Sequence, residues 1–308
     1  MSEPKKKKQS YFKKKWQLYA MLILPLISLF IFNYGPMYGV IIAFKDYKIG
    51  LGINASPWAD NHGFGNFIRF FNNYNFKETL RNTVVLSLYS MLVNTPAPLI
   101  LALSLNYVKN VKFKKTVQMI SYAPYFISTV VFVAIINMVF NTRTGALGIL
   151  FDQAFGINVL GTEGAFPTLY VLSGVWQGVG FSAIIYIAAL AGVDPQLHEA
   201  AIIDGATILQ RIRHIDIPSI LPTIVILLIL NMGSILNVGY EKVYAMQNQN
   251  NIGVSEVIST YAYKVGLVGS FPDFSYSTAI GLFQSVVGLI LILLTNWIAD
   301  KLTGNGFI

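Results

Sequence analysis

The chain has 308 residues, 54% of them hydrophobic and only 12% charged, with a mean hydropathy of +0.56. That balance excludes a soluble domain and points to an integral membrane protein, and the absence of cysteine excludes disulfides, thiolate chemistry and cysteine-ligated metal. A net charge of +8 would suggest nucleic acid in a soluble protein; here its distribution reports orientation in a bilayer instead, with no nucleic-acid partner.

Residues 1–17 form a basic segment, with Lys5 to Lys8 and Lys13 to Lys15 placed to anchor on anionic lipid. No small-residue cleavage site follows, so the first span is read as an uncleaved helix and not as a signal peptide. Six hydrophobic runs mark spans at about 18–44, 82–106, 117–140, 167–191, 218–240 and 275–299, each near the roughly 20 residues a helix needs to cross a bilayer. Every backbone amide must be satisfied in lipid, so the fold class is all-α, a polytopic protein of six transmembrane helices. Pro25 and the sequence Tyr34-Gly35-Pro36-Met37-Tyr38-Gly39 predict a first span that bends near its outer end. In the outer segment, 45–81, the spacing of Phe64, Phe67 and Phe71 predicts a short helix with an aromatic face along the membrane interface. Residues 82–299 form a five-helix core interrupted by a polar loop at 192–217, and 300–308 form a tail.

Lys and Arg number seven in residues 1–16, four in 107–116, two in 192–217 and one after 299, against eight spread over the longer loops of the other side. The denser side is cytoplasmic, which puts both termini and the 192–217 loop inside.

That loop carries the most information in the chain. Glu199 to Asp204 is a run of good helix formers, and Gly205 can take the positive φ that ends a helix. A second run, Thr207 to Ile217, sets Ile208, Ile212 and Ile215 at helical intervals among Arg211, Arg213 and His214, and Pro218 is expected to stop it and open the next span. The product is a helix-turn-helix plug on the membrane surface, able to sit in a cleft of a soluble partner; the alternative is an amphipathic linker lying in the headgroups.

Glu199, Ala200, Ala201, Gly205, Ile215 and Pro218 fall in register with the cytoplasmic loop pattern of binding-protein-dependent ABC importer permeases, Glu-Ala-Ala, three residues, Gly, nine residues, Ile, one residue, Leu-Pro, with Ile217 in place of Leu. The stretches Met37 to Asp46, Ile187 to Pro195 and Gly281 to Gly288 also resemble the branch of that family that carries oligosaccharides and polysaccharide fragments. The resemblance implies a type I importer permease in a bacterial plasma membrane. It also implies a second homologous permease subunit, two cytoplasmic ATPase subunits that bind ATP and Mg, and an extracellular binding protein that delivers the sugar. In that setting Glu199, Ala200, Ala201, Asp204, Gly205, Ile215 and Pro218 are the ATPase-coupling residues, with Glu199 the docking charge and Gly205 the turn.

A sugar path needs groups that hold hydroxyls and pyranose faces and then release them, which suits neutral polar and aromatic side chains within the spans. Asn137, Trp176, Gln177, Asn231, Asn237, Tyr240 and Glu241 fit that type; interhelical hydrogen bonding is the duller role for each. Glu241 stands out because an acid near a span end is costly unless partnered or wet, and Lys242 or Arg81 could pair with it. His62, His198 and His214 give no metal spacing. No phosphate loop appears, so the chain has no cofactor or catalytic residue of its own and ATP is hydrolysed elsewhere. The rival readings are an ion-coupled secondary transporter of a small polar solute, which would bury ionisable groups mid-span, and a membrane scaffold for an enzyme.

Overall fold

The computed structural model describes residues 15–303, so most of the basic N-terminal segment and the last residues of the tail lie outside the described residues. Those residues are almost wholly helical, and their one strand-like feature is an isolated bridge between Lys45 and Trp58. Five helices are long and apolar enough to cross a membrane: Trp16–Phe44, Phe76–Asn106, Glu163–Ala191, Ile208–Gly233 and Phe274–Lys301. A bent pair, Val111–Phe126 and Thr129–Val139, brings the number to six where its two arms form one broken span.

The first span is one helical rod of changing pitch. A π turn at Phe30–Tyr34 leads into a single α turn at Gly35–Met37 and a 3₁₀ stretch at Tyr38–Phe44. Pro36 has no amide to donate, so the ladder re-pairs around it instead of breaking. Most of this rod stands clear of the bundle, and only around the fully buried Ala43 does it press on the sixth span. Beyond it, the expected short helix occupies Gly65–Phe71. Its rings are shared between packing and the surface: Phe64 and Phe67 pack on Phe44 and Phe71 meets Phe76 and Phe283, while Phe64 and Phe71 stay about half exposed. Phe70, which the spacing overlooked, is completely buried against Phe76, Tyr276 and Phe283. Each edge-to-face pair around Phe70 adds about 0.5–1.5 kcal/mol beyond its buried area, which favours burying this ring.

The third run is not the straight span that 117–140 suggests, because its two arms meet at 104°. Pro124 opens a 3₁₀ turn, Ile127 and Ser128 are extended, and Gln177 of the fourth span donates its side-chain amide to the freed carbonyl of Ile127 at 3.2 Å. Backbone freed at membrane depth must find such a partner.

Small residues set how closely the spans approach. A Cβ added at Gly180 would meet the Ser121 carbonyl oxygen at 2.1 Å, and one at Gly288 would meet the Gly233 carbonyl oxygen at 2.6 Å. The fourth span therefore touches the broken third, and the fifth touches the sixth, backbone to backbone.

Candidate functional site

Two regions gather the polar groups. The first is the hairpin formed by the helix Pro195–Ile203 and the start of the fifth span at Ile208. Asp194 caps the first helix by accepting from the Gln196 amide at 2.9 Å. Gly205 ends it at φ 78°, where its own amide donates to the Ile202 carbonyl at 3.1 Å and the Ala206 amide to the Ala201 carbonyl at 2.8 Å. This pair of bonds is a Schellman closure, the arrangement that favours glycine at the left-handed position. No atom lies within 4 Å of the Cβ position of Gly205, so glycine is there for its backbone angle and not for space. Thr207 restarts the helix with a capping box to Gln210.

Pro218 does not stop that second helix. The helix runs unbroken from Ile208 to Gly233, and a π turn at Ile212–Asp216 absorbs the missing amide. The hairpin is therefore rigidly continuous with the fifth span.

The tip of the hairpin presents Ile202, Ile203, Ile208 and Leu209 exposed, Ile203 at 85% and Leu209 at 75%. Glu199, Ala200, Asp204 and Pro218 are exposed, Ala201 and Ile215 half-buried, and Glu199 makes no hydrogen bond or ion pair among the described residues. The root is different. Asp216 is completely buried, with Oδ2 accepting from the Tyr107 hydroxyl at 2.6 Å and Oδ1 lying 3.2 Å from His198 Nε2. The Arg211 guanidinium lies over the Tyr107 ring at 5.1 Å. Burial, and then the hydrogen bond to Asp216, push the Tyr107 hydroxyl well above its ordinary pKa, so it stays a donor. One carboxylate thus ties together the end of the second span, the first hairpin helix and the fifth span. The sequence did carry a signal for it, an acid inside Ile215-Asp216-Ile217 next to a span.

The second region is a cavity of about 600 Å³ between the second, third, fourth and fifth spans. Ser87, Ser90 and Asn94 reach it from the second span, Tyr125 from the break in the third, Tyr170 and Ser182 from the fourth, and Asn231, Ser234 and Asn237 from the fifth and the turn after it. No charged side chain is in the lining. Tyr125 and Phe181 stack in parallel in the wall, ring centroids 3.9 Å apart. Ser87 and Ser90 carry buried hydroxyls with no hydrogen-bond partner. Such groups are costly unless something entering the cavity engages them.

Of the residues expected to line a sugar path, Asn231 and Asn237 reach the cavity and the others sit elsewhere. Tyr240 packs on Tyr263, and Glu241 is exposed with no ion pair among the described residues. Trp176 stacks on Phe132, and Gln177 serves the Ile127 carbonyl. Asn137 borders a separate void of about 10 Å³ beside Asn251. The serines and Tyr125 went unnoticed in the sequence because a lone hydroxyl in an apolar span is commonplace; only the packing of four helices shows that they converge.

Residues 94–304 match the family model described as a binding-protein-dependent transport system inner membrane component. The chain is 44% identical to the protein LplB of Bacillus subtilis, over 95% of this chain and 91% of that one. It is 42% identical to the polygalacturonan/rhamnogalacturonan transport system permease YteP of the same organism, over 94% and 89%. Among solved structures it resembles a chain of a bacterial alginate ABC transporter in complex with an alginate pentasaccharide-bound periplasmic protein. That likeness has a TM-score of 0.85 at 35% identity and covers 96% of this chain and 98% of that one.

Proposed function

The chain belongs to the family of binding-protein-dependent transport system inner membrane components, a multi-pass membrane permease, and on that footing we propose that it forms half of the pore of an ATP-driven importer of oligosaccharides or polysaccharide fragments. Its partners are a second homologous permease subunit, two ATPase subunits that hold ATP and Mg, and an extracellular binding protein that hands over the sugar. The chain itself performs no chemistry. Both termini and the hairpin face the cytoplasm, as the distribution of Lys and Arg favours.

The observation that carries this reading is the unbroken helix Ile208–Gly233, which begins in the hairpin and brings Asn231 to the cavity. The apolar tip and the unpaired Glu199 suit a cleft in an ATPase subunit, with the ion pair fixing register more than adding affinity. A displacement of the docked hairpin is passed through Asp216 to the second and fifth spans, and both line the cavity. A local push thereby changes the shape of the chamber without a flexible joint. Within it, the stacked Tyr125 and Phe181 offer a flat face to a pyranose ring, and the serine and asparagine groups suit its hydroxyls. The ion-coupled alternative needs a carboxylate or other readily charged side chain in the pathway, and the lining contains none.

The test is reconstitution in proteoliposomes with the three kinds of partner and labelled oligosaccharide. Uptake that requires both ATP and the binding protein is expected, and uptake driven by an ion gradient without ATP would overturn the reading.

A further inference from the structure

Lys242 stands on the short helix Tyr240–Met246, just past the end of the cavity lined by Asn237, Val238 and Gly239. A lysine so near a span end would ordinarily extend to water or pair with an acid. It does neither. Its Nζ turns into the protein, donates to the Tyr170 carbonyl at 3.0 Å, and lies over the rings of Tyr170 and Phe132 at 4.8 and 5.2 Å. No carboxylate comes within ion-pair distance among the described residues: Glu256 is taken by Lys264 at 3.1 Å, Asp273 by Arg69 at 2.6 Å, and the neighbouring Glu241 is exposed. Burial without a counter-charge draws its pKa down to about 8.

Space has been kept beside this ammonium. A Cβ added at Gly174 would lie 3.4 Å from Lys242 Nζ and 4.0 Å from the side-chain amide of Asn94. Gly174 thus separates the lysine nitrogen from a residue of the cavity wall, and Tyr170, whose carbonyl the lysine holds, is another wall residue. One N–H is committed to that carbonyl, and the remaining donors have no acceptor among the described residues. The cavity is uncharged, with a single cation at one end of it and a gap of one glycine between them.

We propose that Lys242 is the cation that reads a carboxylate on the cargo, so that the oligosaccharide carried is an acidic one, built from sugar acids. This rests on the reading that the cavity holds an oligosaccharide. A cargo carboxylate supplies the missing counter-charge, and a charge-assisted bond in a low-dielectric setting discriminates strongly against a neutral sugar of the same shape.

The experiment uses the complete reconstituted importer and two probes, a galacturonate trisaccharide and the same trisaccharide after reduction of its carboxyl groups. Each is measured with Lys242, Lys242→Gln and Lys242→Arg, with the amount of assembled complex recorded alongside. The substitutions lie in the permease alone, so any preference of the binding protein cancels in the ratio of variant to parent. Lys242→Gln is expected to cut kcat/KM for the acidic probe about tenfold while holding the neutral probe within about twofold of the parent; Lys242→Arg is expected to keep most acidic uptake. Equal loss for both probes, or loss in step with assembly, would overturn the proposal by assigning Lys242 a structural role. So would an unchanged acidic uptake in Lys242→Gln, or transport of the neutral probe only. Transport of neither probe by the parent would strike at the oligosaccharide reading itself.

Discussion

In the hairpin, Asp194, Thr207 and Gln210 satisfy helix-end amides within three residues of themselves, whereas in the cavity Ser87 and Ser90 hold hydroxyls that nothing among the described residues engages. The hairpin is stable locally and directs its unsatisfied features outward, as exposed isoleucines and an unpaired acid. The cavity directs its unsatisfied features inward. A surface meant for a permanent partner can be apolar, since burial on assembly stabilises it. A chamber meant for a passing sugar keeps polar groups whose partners come and go.

Removing what the hairpin presents tests this contrast most severely. Glu199→Ala is expected to reduce uptake below about a tenth and to release the ATPase subunits on purification, as loss of one partner of a docked charge pair does, while membrane insertion is unchanged. Normal uptake with normal ATPase retention would end the docking role.

Next comes the root of the hairpin. Asp216→Ala leaves the half-buried Tyr107 hydroxyl and His198 without their partner, at a cost of about 1–3 kcal/mol. The complex should melt earlier and hydrolyse ATP with less sugar carried per turnover. Tyr107→Phe in the same background should then add little, because both changes remove one bond.

The cavity should respond in the opposite sense. Ser87→Ala or Ser90→Ala removes an orphan hydroxyl, so stability is expected to hold or rise slightly, yet uptake should fall about fivefold for a lost hydrogen bond of about 1 kcal/mol. A drop in stability that matched the drop in uptake would show these serines to be structural.

The smallest effect is expected at the turn. Gly205→Ala meets no neighbour and pays only for its left-handed backbone, about 1 kcal/mol, and Gly205→Asn should cost less. Uptake by the asparagine variant should stay near that of the parent, and a full loss would show that the turn touches the ATPase directly.

What could be read from the sequence divides along the same line. The all-α fold, the spans and the hairpin with its positive φ at Gly205 depend on neighbours in the chain, and periodicity and capping residues report those. The right-angled third span was missed although Pro124 and Ser128 marked it, because a hydrophobic run looks alike whether straight or folded. Asn231 and Asn237 were found because amides stand out in an apolar helix; Ser87, Ser90, Tyr125 and Ser182 were not, since their meaning lies in a convergence of four helices. Lys242 looked like a partner for Glu241, and only its rotamer shows that it faces the other way.

The charge-free lining has a thermodynamic consequence. A roomy chamber edged with serine, asparagine and tyrosine groups admits water when it carries nothing, so a sugar that enters exchanges one set of hydrogen bonds for another of similar strength. Apart from the carboxylate that Lys242 is proposed to hold, the free energy of occupancy then stays shallow, and the neutral part of the cargo leaves as readily as it arrived. On the importer reading, direction then comes from which side the chamber opens toward, and the energy of each cycle goes into that opening and not into prying the sugar loose.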